Sequence, residues 1–276
     1  MTDGSDKSAD TPEKDGERLQ EGTLISHLVE LRGRLLKISA AVVVAFIALL
    51  PFSDEIFTFV SQPIREALPG NAMIATSVAS PLLTPFKMTF FVSLFAAMPV
   101  VLYQAWAFVA PGLYKKEKHF ALPLLASSIL LFYTGVAFAY YLVFPLLFNF
   151  FTSVAPPGVE VMTDITQYLD FITLIVLAFG LAFEVPIATV LMVWTGLTTP
   201  AKLASVRQYV FLGAFVVGMF LTPPDMFSQT MLAVPMYLLY ELGILMSRTF
   251  DPRRSSKETP VVQAATEIVR LSLEVS

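Results

Sequence analysis

Residues 168–194 read YLDFITLIVLAFGLAFEVPIATVLMVW, and only Asp170 and Glu184 carry charge in this run. A helix of about 20 apolar residues crosses a ~30 Å hydrocarbon core. Helices and closed barrels alone satisfy their backbone polar groups inside that core. The stretch therefore predicts a membrane-spanning helix. Five further apolar blocks lie at residues 35–52, 86–109, 120–151, 209–221 and 227–246.

The composition agrees with a membrane protein. The 276 residues are 55% hydrophobic and 14% charged, whereas an ordinary soluble domain carries about 25% charge. The net charge of −4 gives no reason to expect a nucleic-acid partner, and there is no cysteine to form a disulfide or bind a metal. We predict an all-α integral membrane protein with six transmembrane helices.

The basic residues indicate how the helices are oriented. Of the 18 Lys and Arg residues, only Arg65 and Lys87 fall in the segments predicted to lie outside. The positive-inside rule then places both termini in the cytoplasm. The last two spans are predicted to be short, and the charge bias favours a true span over a re-entrant loop at residues 209–221.

Proline punctuates most of the blocks and predicts a bent architecture. A proline removes a backbone donor and bends its helix, so repeated bends favour a concave helical wall. The prolines are Pro99, Pro123, Pro145, Pro186 and Pro235. Residues 1–22 are interpreted as a disordered acidic tail, residues 23–248 as the six-span domain and residues 249–276 as a polar cytoplasmic tail. Within the domain, residues 23–35 are predicted to lie along the interface before turning into the first span.

Glu184 is the sharpest single feature of the sequence. It lies about 10 residues, or ~15 Å, from the nearer end of its block. A charge at such depth costs ~2.5–3.5 kcal/mol on insertion scales, so intramembrane acids are functional candidates by default. One interpretation is a polar lining in a water-accessible concavity. The other is a protonated carboxyl that hydrogen-bonds a neighbouring helix, helped by the carbonyl that Pro186 frees near residue 182.

The spacing of the other acidic residues is explained by local ion pairs and helix caps, without a functional role. Glu30 and Arg34 are spaced as an i,i+4 ion pair, Glu241 lies within reach of Arg248, and Asp225 follows a proline pair as a turn or N-cap residue does. Enzyme signatures are missing as well. The chain has no P-loop motif, both histidines lie at the predicted cytoplasmic surface, and only one acid is deep. The sequence therefore predicts no catalytic activity, metal or cofactor.

Several segments in order carry a family resemblance. They are HLVELR at 27–32, SP at 80–81, YQAWAFVAPGLY at 103–114 with Glu117 after it, FEVP at 183–186, and GAFVVGM at 213–219 leading into LTPPD and FSQ. Together they resemble the TatC family, the multispanning subunit of the twin-arginine protein translocase, over about residues 23–248. The two tails lie outside the resemblance.

The resemblance implies a cupped six-span protein of the bacterial inner membrane. It implies binding of twin-arginine signal peptides of folded precursors at the cytoplasmic face, with TatB and TatA as partners and the proton-motive force as the energy source. The residues to which it assigns roles are Glu30, Arg32, Phe108 and Glu117 for signal-peptide binding, Glu184 and Gln229 as intramembrane polar groups, and Pro63 and Asp225 in the periplasmic cap. Without the resemblance, Glu117 is most simply a local charge partner of the lysines around it.

Paired carboxylates explain a demand for paired arginines, because each can hold a guanidinium in a forked, charge-assisted pair that lysine cannot form. Exposed pairs contribute only ~0.2–1 kcal/mol each. We therefore expect the apolar part of the signal to enter the concave wall, with Glu184 lining it. Six helices ~10 Å wide enclose a hole about one helix across, which is too narrow for a folded precursor. The sequence therefore predicts a receptor and assembly core that does not form the whole passage by itself.

Two other functions stay open at this point. The first is an ion-coupled small-molecule carrier in which Glu184 is the proton site. The second is a structural scaffold, which predicts tolerance of substitution at Glu30, Glu117 and Phe108. A carrier does not need the acidic and aromatic residues of the cytoplasmic segments, and the chain shows no internal repeat of the kind many carriers have.

Overall fold

The computed structural model describes residues 12–68, 72–109, 118–156, 159, 161–223 and 225–249. These residues form eleven α-helices, and their only β contact is a single bridge between Ile74 and Asp164. The all-α class is thereby confirmed. The helices are α1 Pro12–Leu49, α2 Ser53–Ala67, α3 Ser80–Ala96, α4 Met98–Val109, α5 Lys118–Phe138, α6 Phe144–Ser153, α7 Ile165–Ala182, α8 Val185–Trp194, α9 Pro200–Ser205, α10 Arg207–Leu221 and α11 Met226–Thr249.

Among the residues that the structure describes, four helical segments are long and apolar enough to cross a membrane. They are Leu28–Ala67, Leu122–Ser153, Ile165–Trp194 and Met226–Thr249, and the bent pair α3 and α4 makes a fifth if it counts as one span. Helix α10 is apolar but has only 15 residues. The six-span topology and the cytoplasmic termini stay predictions.

Two predictions about helix length are wrong. The last span is not short: α11 has 24 residues, because Ser247, Arg248 and Thr249 continue the helix beyond the apolar block that ends at residue 246. The first helix does not turn near residue 35. Helix α1 is continuous from Pro12 to Leu49, since no proline interrupts it before Pro51. It begins inside the segment assigned to the acidic tail, and the domain boundaries stay predictions.

Tyrosine hydroxyls pair with two of the backbone carbonyls that prolines leave without a helical donor. Pro99 cannot donate to the carbonyl of Phe95, four residues earlier, and Tyr133 Oη donates to that oxygen at 3.0 Å. This is the point at which α3 and α4 meet with a 46° bend. The bend at Pro99 thus has a partner for its exposed backbone group.

The same arrangement holds α2. Pro63 leaves the carbonyl of Phe59 without its helical donor, and Tyr140 Oη donates to it at 2.6 Å. The Tyr140 ring also stacks on Phe59, with centroids 5.0 Å apart. Tyr140 belongs to a π-helical turn, Ala139–Val143. This turn directly precedes Pro145, which cannot close an ordinary helical bond there.

The main core lies between α2, α3, α5, α6 and α7, around the fully buried rings of Phe144 and Phe179. Two glycines let α5 and α7 approach closely. A Cβ on Gly135 would lie 2.7 Å from the Phe179 carbonyl oxygen, and one on Gly180 would lie 2.6 Å from the Phe132 ring. A smaller cluster joins α8, α9 and α11.

Two ends of the bundle are distinguished by name. The Glu30 end comprises residues 28–34 and the last residues of α4. The opposite end, at α2 and Asp164, is named the Asp164 end.

Candidate functional site

The Glu30 end holds a charged network that joins α1 to α4. Arg34 donates to Glu30 Oε1 through Nε at 3.1 Å and Nη2 at 2.5 Å. Its Nη1 donates to Gln104 Oε1 at 3.3 Å, and Nη2 also donates to the Ala107 carbonyl at 2.9 Å. The Glu30 side chain keeps 37% of its surface exposed, against 19% for Arg34. The predicted i,i+4 pair between Glu30 and Arg34 is therefore confirmed.

The end of α4 explains why Arg34 lies there. Helix α4 ends at Val109, so the Ala107 carbonyl is one of the last four and has no donor within the helix. A guanidinium near a helix C-terminus both hydrogen-bonds these oxygens and interacts favourably with the helix dipole. Arg34 therefore does two things: it pairs with Glu30 and caps α4 one residue before Phe108.

The other predicted signal-binding residues have different placements. Phe108 is half-buried at the end of α4, and Arg32 is exposed on α1. Glu117 lies outside the described residues, so the structure does not bring the two predicted carboxylates together or separate them. The network around Arg34 was missing from the sequence interpretation, because its partners Gln104 and Ala107 lie about 70 residues away along the chain.

Glu184 occupies the break between α7 and α8. Its Oε1 is buried and finds no hydrogen-bond partner among the described residues. The hydroxyl of Ser128, on α5, faces the same carboxyl. Ser128 in turn accepts a hydrogen bond from Trp106 Nε1 at 3.2 Å. A polar chain thus runs from the cap of α4 toward Glu184, and the carboxyl has hydrogen-bonding capacity left over.

The remaining predicted residues make intramolecular contacts. Gln229 Nε2 donates to the Phe215 carbonyl at 2.9 Å, so this amide binds α10. Asp225 Oδ1 accepts the Ser228 N–H at 2.7 Å and caps α11, as its position after two prolines predicts. Pro63 acts through the Phe59 carbonyl that it leaves to Tyr140.

One prediction about an acid is wrong. Glu241 was expected to reach Arg248, but its partner is Arg207 at the start of α10. Arg207 Nη2 donates to Glu241 Oε2 at 2.8 Å, and Arg207 Nε lies 2.7 Å from Glu241 Oε1. Tyr237 Oη donates to the same Oε1 at 2.9 Å. The close packing of α10 on α11 brings Arg207 to Glu241, which lies 34 residues away in sequence.

Asp164 is the residue that the sequence interpretation missed. Its Oδ1 accepts the N–H groups of Thr166 and Gln167 at the start of α7. Its Oδ2 accepts both the N–H of Thr76, at 2.9 Å, and the Thr76 hydroxyl, at 2.7 Å. These bonds lower the pKa of the Asp164 carboxyl to about 2, with the two bonds from Thr76 as the main cause. The D-x-x-Q spacing of Asp164 and Gln167, a capping-box pattern, was the available signal.

The fold and both ends define a class: a multi-pass helical membrane protein with proline-bent spans and a charged network at one end. A model of the family described as "Sec-independent protein translocase protein (TatC)" matches residues 26–235. The chain belongs to the TatC family. It is 57% identical over 242 residues to TatC of Azotobacter chroococcum mcd 1, covering 87% of this chain and 93% of that one. It is 55% identical over 236 residues to TatC of Escherichia coli strain K12, covering 85% and 92%.

A solved structure agrees in fold. The crystal structure of the "Twin Arginine Translocase Receptor- TatC" superposes with a TM-score of 0.73 at 36% identity, covering 81% of this chain and 99% of that one. The relatives are named as translocase proteins, which describes transport and not catalysis. The chain is therefore a multi-pass membrane subunit of a Sec-independent protein translocase.

Proposed function

We propose that this chain is the receptor subunit for twin-arginine signal peptides, and that the Glu30 end is where the arginines bind. The observation that carries the proposal is the half-exposed carboxylate of Glu30, held at a fixed place beside the end of α4. Both bonds from Arg34 use one oxygen, Oε1. A guanidinium arriving at the exposed side of this carboxylate finds a charge-assisted acceptor of defined geometry.

An incoming arginine can replace Arg34 as the partner of Glu30 without leaving the Arg34 guanidinium unpaired. When an incoming arginine binds Glu30, Arg34 keeps two other acceptors, the Gln104 side chain and the Ala107 carbonyl. The α4 cap therefore stays in place while the carboxylate changes partner. A single exposed ion pair contributes only ~0.2–1 kcal/mol, so we infer that Glu117 supplies the second carboxylate and that Phe108 contacts the adjoining apolar part of the signal.

The remaining roles follow from chemistry as well as from relatives. The buried, unpartnered oxygen of Glu184 suits a polar contact in a concavity that receives the apolar segment of the signal. Assembly with TatB and TatA, use of the proton-motive force, the inner membrane and cytoplasmic termini belong to the same proposal. The basic residues at alternate gaps between the spans support the orientation, and a relative described as a twin-arginine translocase receptor supports the receptor role.

The experiment places a photo-crosslinker at Phe108 of the full chain in membranes and compares a twin-arginine precursor with its twin-lysine version. We expect strong crosslinking to the first precursor only, and its loss in the Glu30→Gln variant. Asp170→Asn is the matched control, because Asp170 is an exposed carboxylate outside the Glu30 end. Equal crosslinking to both precursors would contradict the proposal. Precursor-independent proton flux that depends on Glu184 would instead favour an ion-coupled carrier.

A further inference from the structure

An apolar cavity opens between α2, α3, α5, the π-helical turn and α7. Its volume is about 770 Å³, within the range of protein sites that hold ligands. Aromatic and aliphatic side chains form nearly all of its lining, and Glu55 is the one charged group among the lining residues of the described chain. The cavity is distinct from the Glu30 end and does not include Glu184. Its wall contains the stacked pair of Phe59 and Tyr140.

The mouth of this cavity lies between segments that are able to cross a membrane. Tyr141 is 70% exposed and Phe59 is 54% exposed, and both belong to helical segments long and apolar enough to cross a membrane. Water has no favourable contacts with such a lining, whereas hydrocarbon chains are the surrounding solvent at this depth. An apolar cavity with a lateral mouth is therefore filled from the bilayer.

A hydrocarbon chain suits this lining. An unbranched acyl chain is much thinner than a helix, which is ~10 Å across, and it makes the apolar contacts that the aromatic and aliphatic side chains of the cavity offer.

A charged rim adjoins the cavity on the exposed face of α2. A second, open pocket there shares Glu55 and Phe59 with the apolar cavity. Its charged groups are three carboxylates and one guanidinium, which are Asp54, Glu55, Glu66 and Arg65. Gln62 Nε2 donates to Glu66 Oε1 at 2.7 Å and fixes one of the carboxylates. The rim therefore has an acidic excess together with one arginine.

This charge pattern complements a zwitterionic head group that contains both a phosphate and a primary ammonium. Arg65 suits the phosphate, because a guanidinium forms paired hydrogen bonds with phosphate oxygens. The carboxylates suit an ammonium, which has three N–H donors. A trimethylated amine has no such donor, and an anionic head group without an amine meets net repulsion.

We propose that the cavity and its rim bind one molecule of phosphatidylethanolamine. One acyl chain lies in the cavity between α2, α5 and α7, the phosphate contacts Arg65, and the ammonium contacts the neighbouring Glu66, while Glu55 adds negative charge beside the cavity. The lipid thus bridges α2 to the spans beside Tyr140.

The test uses the full chain, reconstituted in vesicles with equal amounts of phosphatidylethanolamine, phosphatidylglycerol and phosphatidylcholine with identical acyl chains. Lipids that stay bound after gentle detergent extraction are counted by native mass spectrometry. We expect at least threefold enrichment of phosphatidylethanolamine over each of the other two. The double substitution Glu55→Lys with Glu66→Lys should reverse the preference toward phosphatidylglycerol.

Cavity-filling variants separate this site from general lipid contact. Ala137→Trp and Ala96→Phe each place bulk in the cavity and should abolish retention of the lipid. Leu212→Trp is the control, because Leu212 is 62% exposed on α10 and does not line the cavity. Two fillers are used so that a folding defect in one leaves a second readout.

Equal retention of the three lipids by the unsubstituted chain would overturn the proposal. Unchanged retention in a folded filler variant would overturn it as well. Crosslinking of an apolar signal segment to position 137, with no retained phosphatidylethanolamine, would assign the cavity to the precursor instead.

Discussion

The two ends of the molecule handle their polar groups in opposite ways. At the Asp164 end, both carboxylate oxygens of Asp164 are used twice, and proline-freed carbonyls are paired with tyrosine hydroxyls. At the Glu30 end, the bonds to Glu30 use one carboxylate oxygen, and the side chain stays 37% exposed. The comparison separates an end that is braced by the four hydrogen bonds of Asp164 from an end with a charge that can change partner.

The difference has a physical consequence for where substitutions act. Buried, satisfied polar groups cost free energy when one partner is removed, because the other is left without a hydrogen bond. Half-exposed ion pairs lose little, since water replaces the partner. We therefore expect stability to depend on the Asp164 end and recognition to depend on the Glu30 end.

The largest expected effect on stability comes from the close contact of α5 with α7. Gly135→Ala places a Cβ 2.7 Å from the Phe179 carbonyl oxygen, so the helices must separate, at a cost of about 1–3 kcal/mol. Gly213→Ala is the matched control, because a Cβ there has no atom within 4 Å. It should stabilise the helix by up to about 1 kcal/mol. Thermal unfolding in detergent measures both, and equal shifts would contradict the packing.

The second-largest effect on stability is expected for substitutions of Asp164. Asp164→Ala removes the cap of α7 and the acceptor of Thr76 together, so we expect a drop of several degrees in the thermal midpoint. Asp170→Ala, which removes an exposed carboxylate on the same helix, should change the midpoint little. A drop of equal size in both variants would show that the clamp does not stabilise this end.

The lowered pKa of Asp164 adds a pH dependence. The pKa of the Asp164 carboxyl is about 2 in the folded chain, against an ordinary 3.8. The contribution of this carboxylate to the free energy of unfolding is therefore complete above about pH 4. It falls as the pH drops from about 4 toward 2, because the carboxylate must then take up a proton. Asp164→Asn should remove this part of the acid sensitivity. An unchanged pH profile in that variant would contradict the assignment.

A smaller effect, of about 1 kcal/mol, is expected for Tyr140→Phe, because the Phe59 carbonyl loses its donor. Pro63→Ala restores a backbone N–H to that carbonyl, so Tyr140→Phe should cost less in the Pro63→Ala background. A double-mutant cycle on thermal unfolding measures the coupling. Additive effects would mean that the hydroxyl and the proline act independently.

The smallest effect on stability is expected at the Glu30 end. Glu30→Gln should change the free energy of unfolding by less than about 1 kcal/mol, because the pair with Arg34 is partly exposed. Arg34→Ala should cost more than Glu30→Gln, since it also leaves Ala107 uncapped. The reverse order would contradict the role of Arg34 as a cap.

Local sequence patterns predict some of these features, whereas others depend on contacts between residues that are far apart in the sequence. The pair Glu30 and Arg34, the cap at Asp225 and the proline bends all depend on residues within a few positions, so spacing predicts them. Two tyrosines pair with proline-freed carbonyls: Tyr140 lies 81 residues from Phe59, and Tyr133 lies 38 residues from Phe95. No periodicity indicates which hydroxyl arrives there, because helix packing decides it.

One error shows the same limit. Glu241 pairs with Arg207 instead of Arg248 because α10 packs beside α11, which an apolar pattern does not specify. The error at α1 was local, since the lack of a proline between Pro12 and Pro51 was visible in the sequence. Asp164 is different in kind. Its capping pattern was visible in the sequence, but the bond to Thr76, 88 residues away, is what makes it a clamp.

The most direct test measures how well the full chain in membranes discriminates a twin-arginine signal peptide from its twin-lysine version. The ratio of the two dissociation constants is compared for the unsubstituted chain, Glu30→Gln and Asp164→Asn. We predict that Glu30→Gln lowers the ratio toward one with little loss of stability, and that Asp164→Asn lowers stability but keeps the ratio. Loss of discrimination in Asp164→Asn alone, or an unchanged ratio in Glu30→Gln, would contradict the division between the two ends.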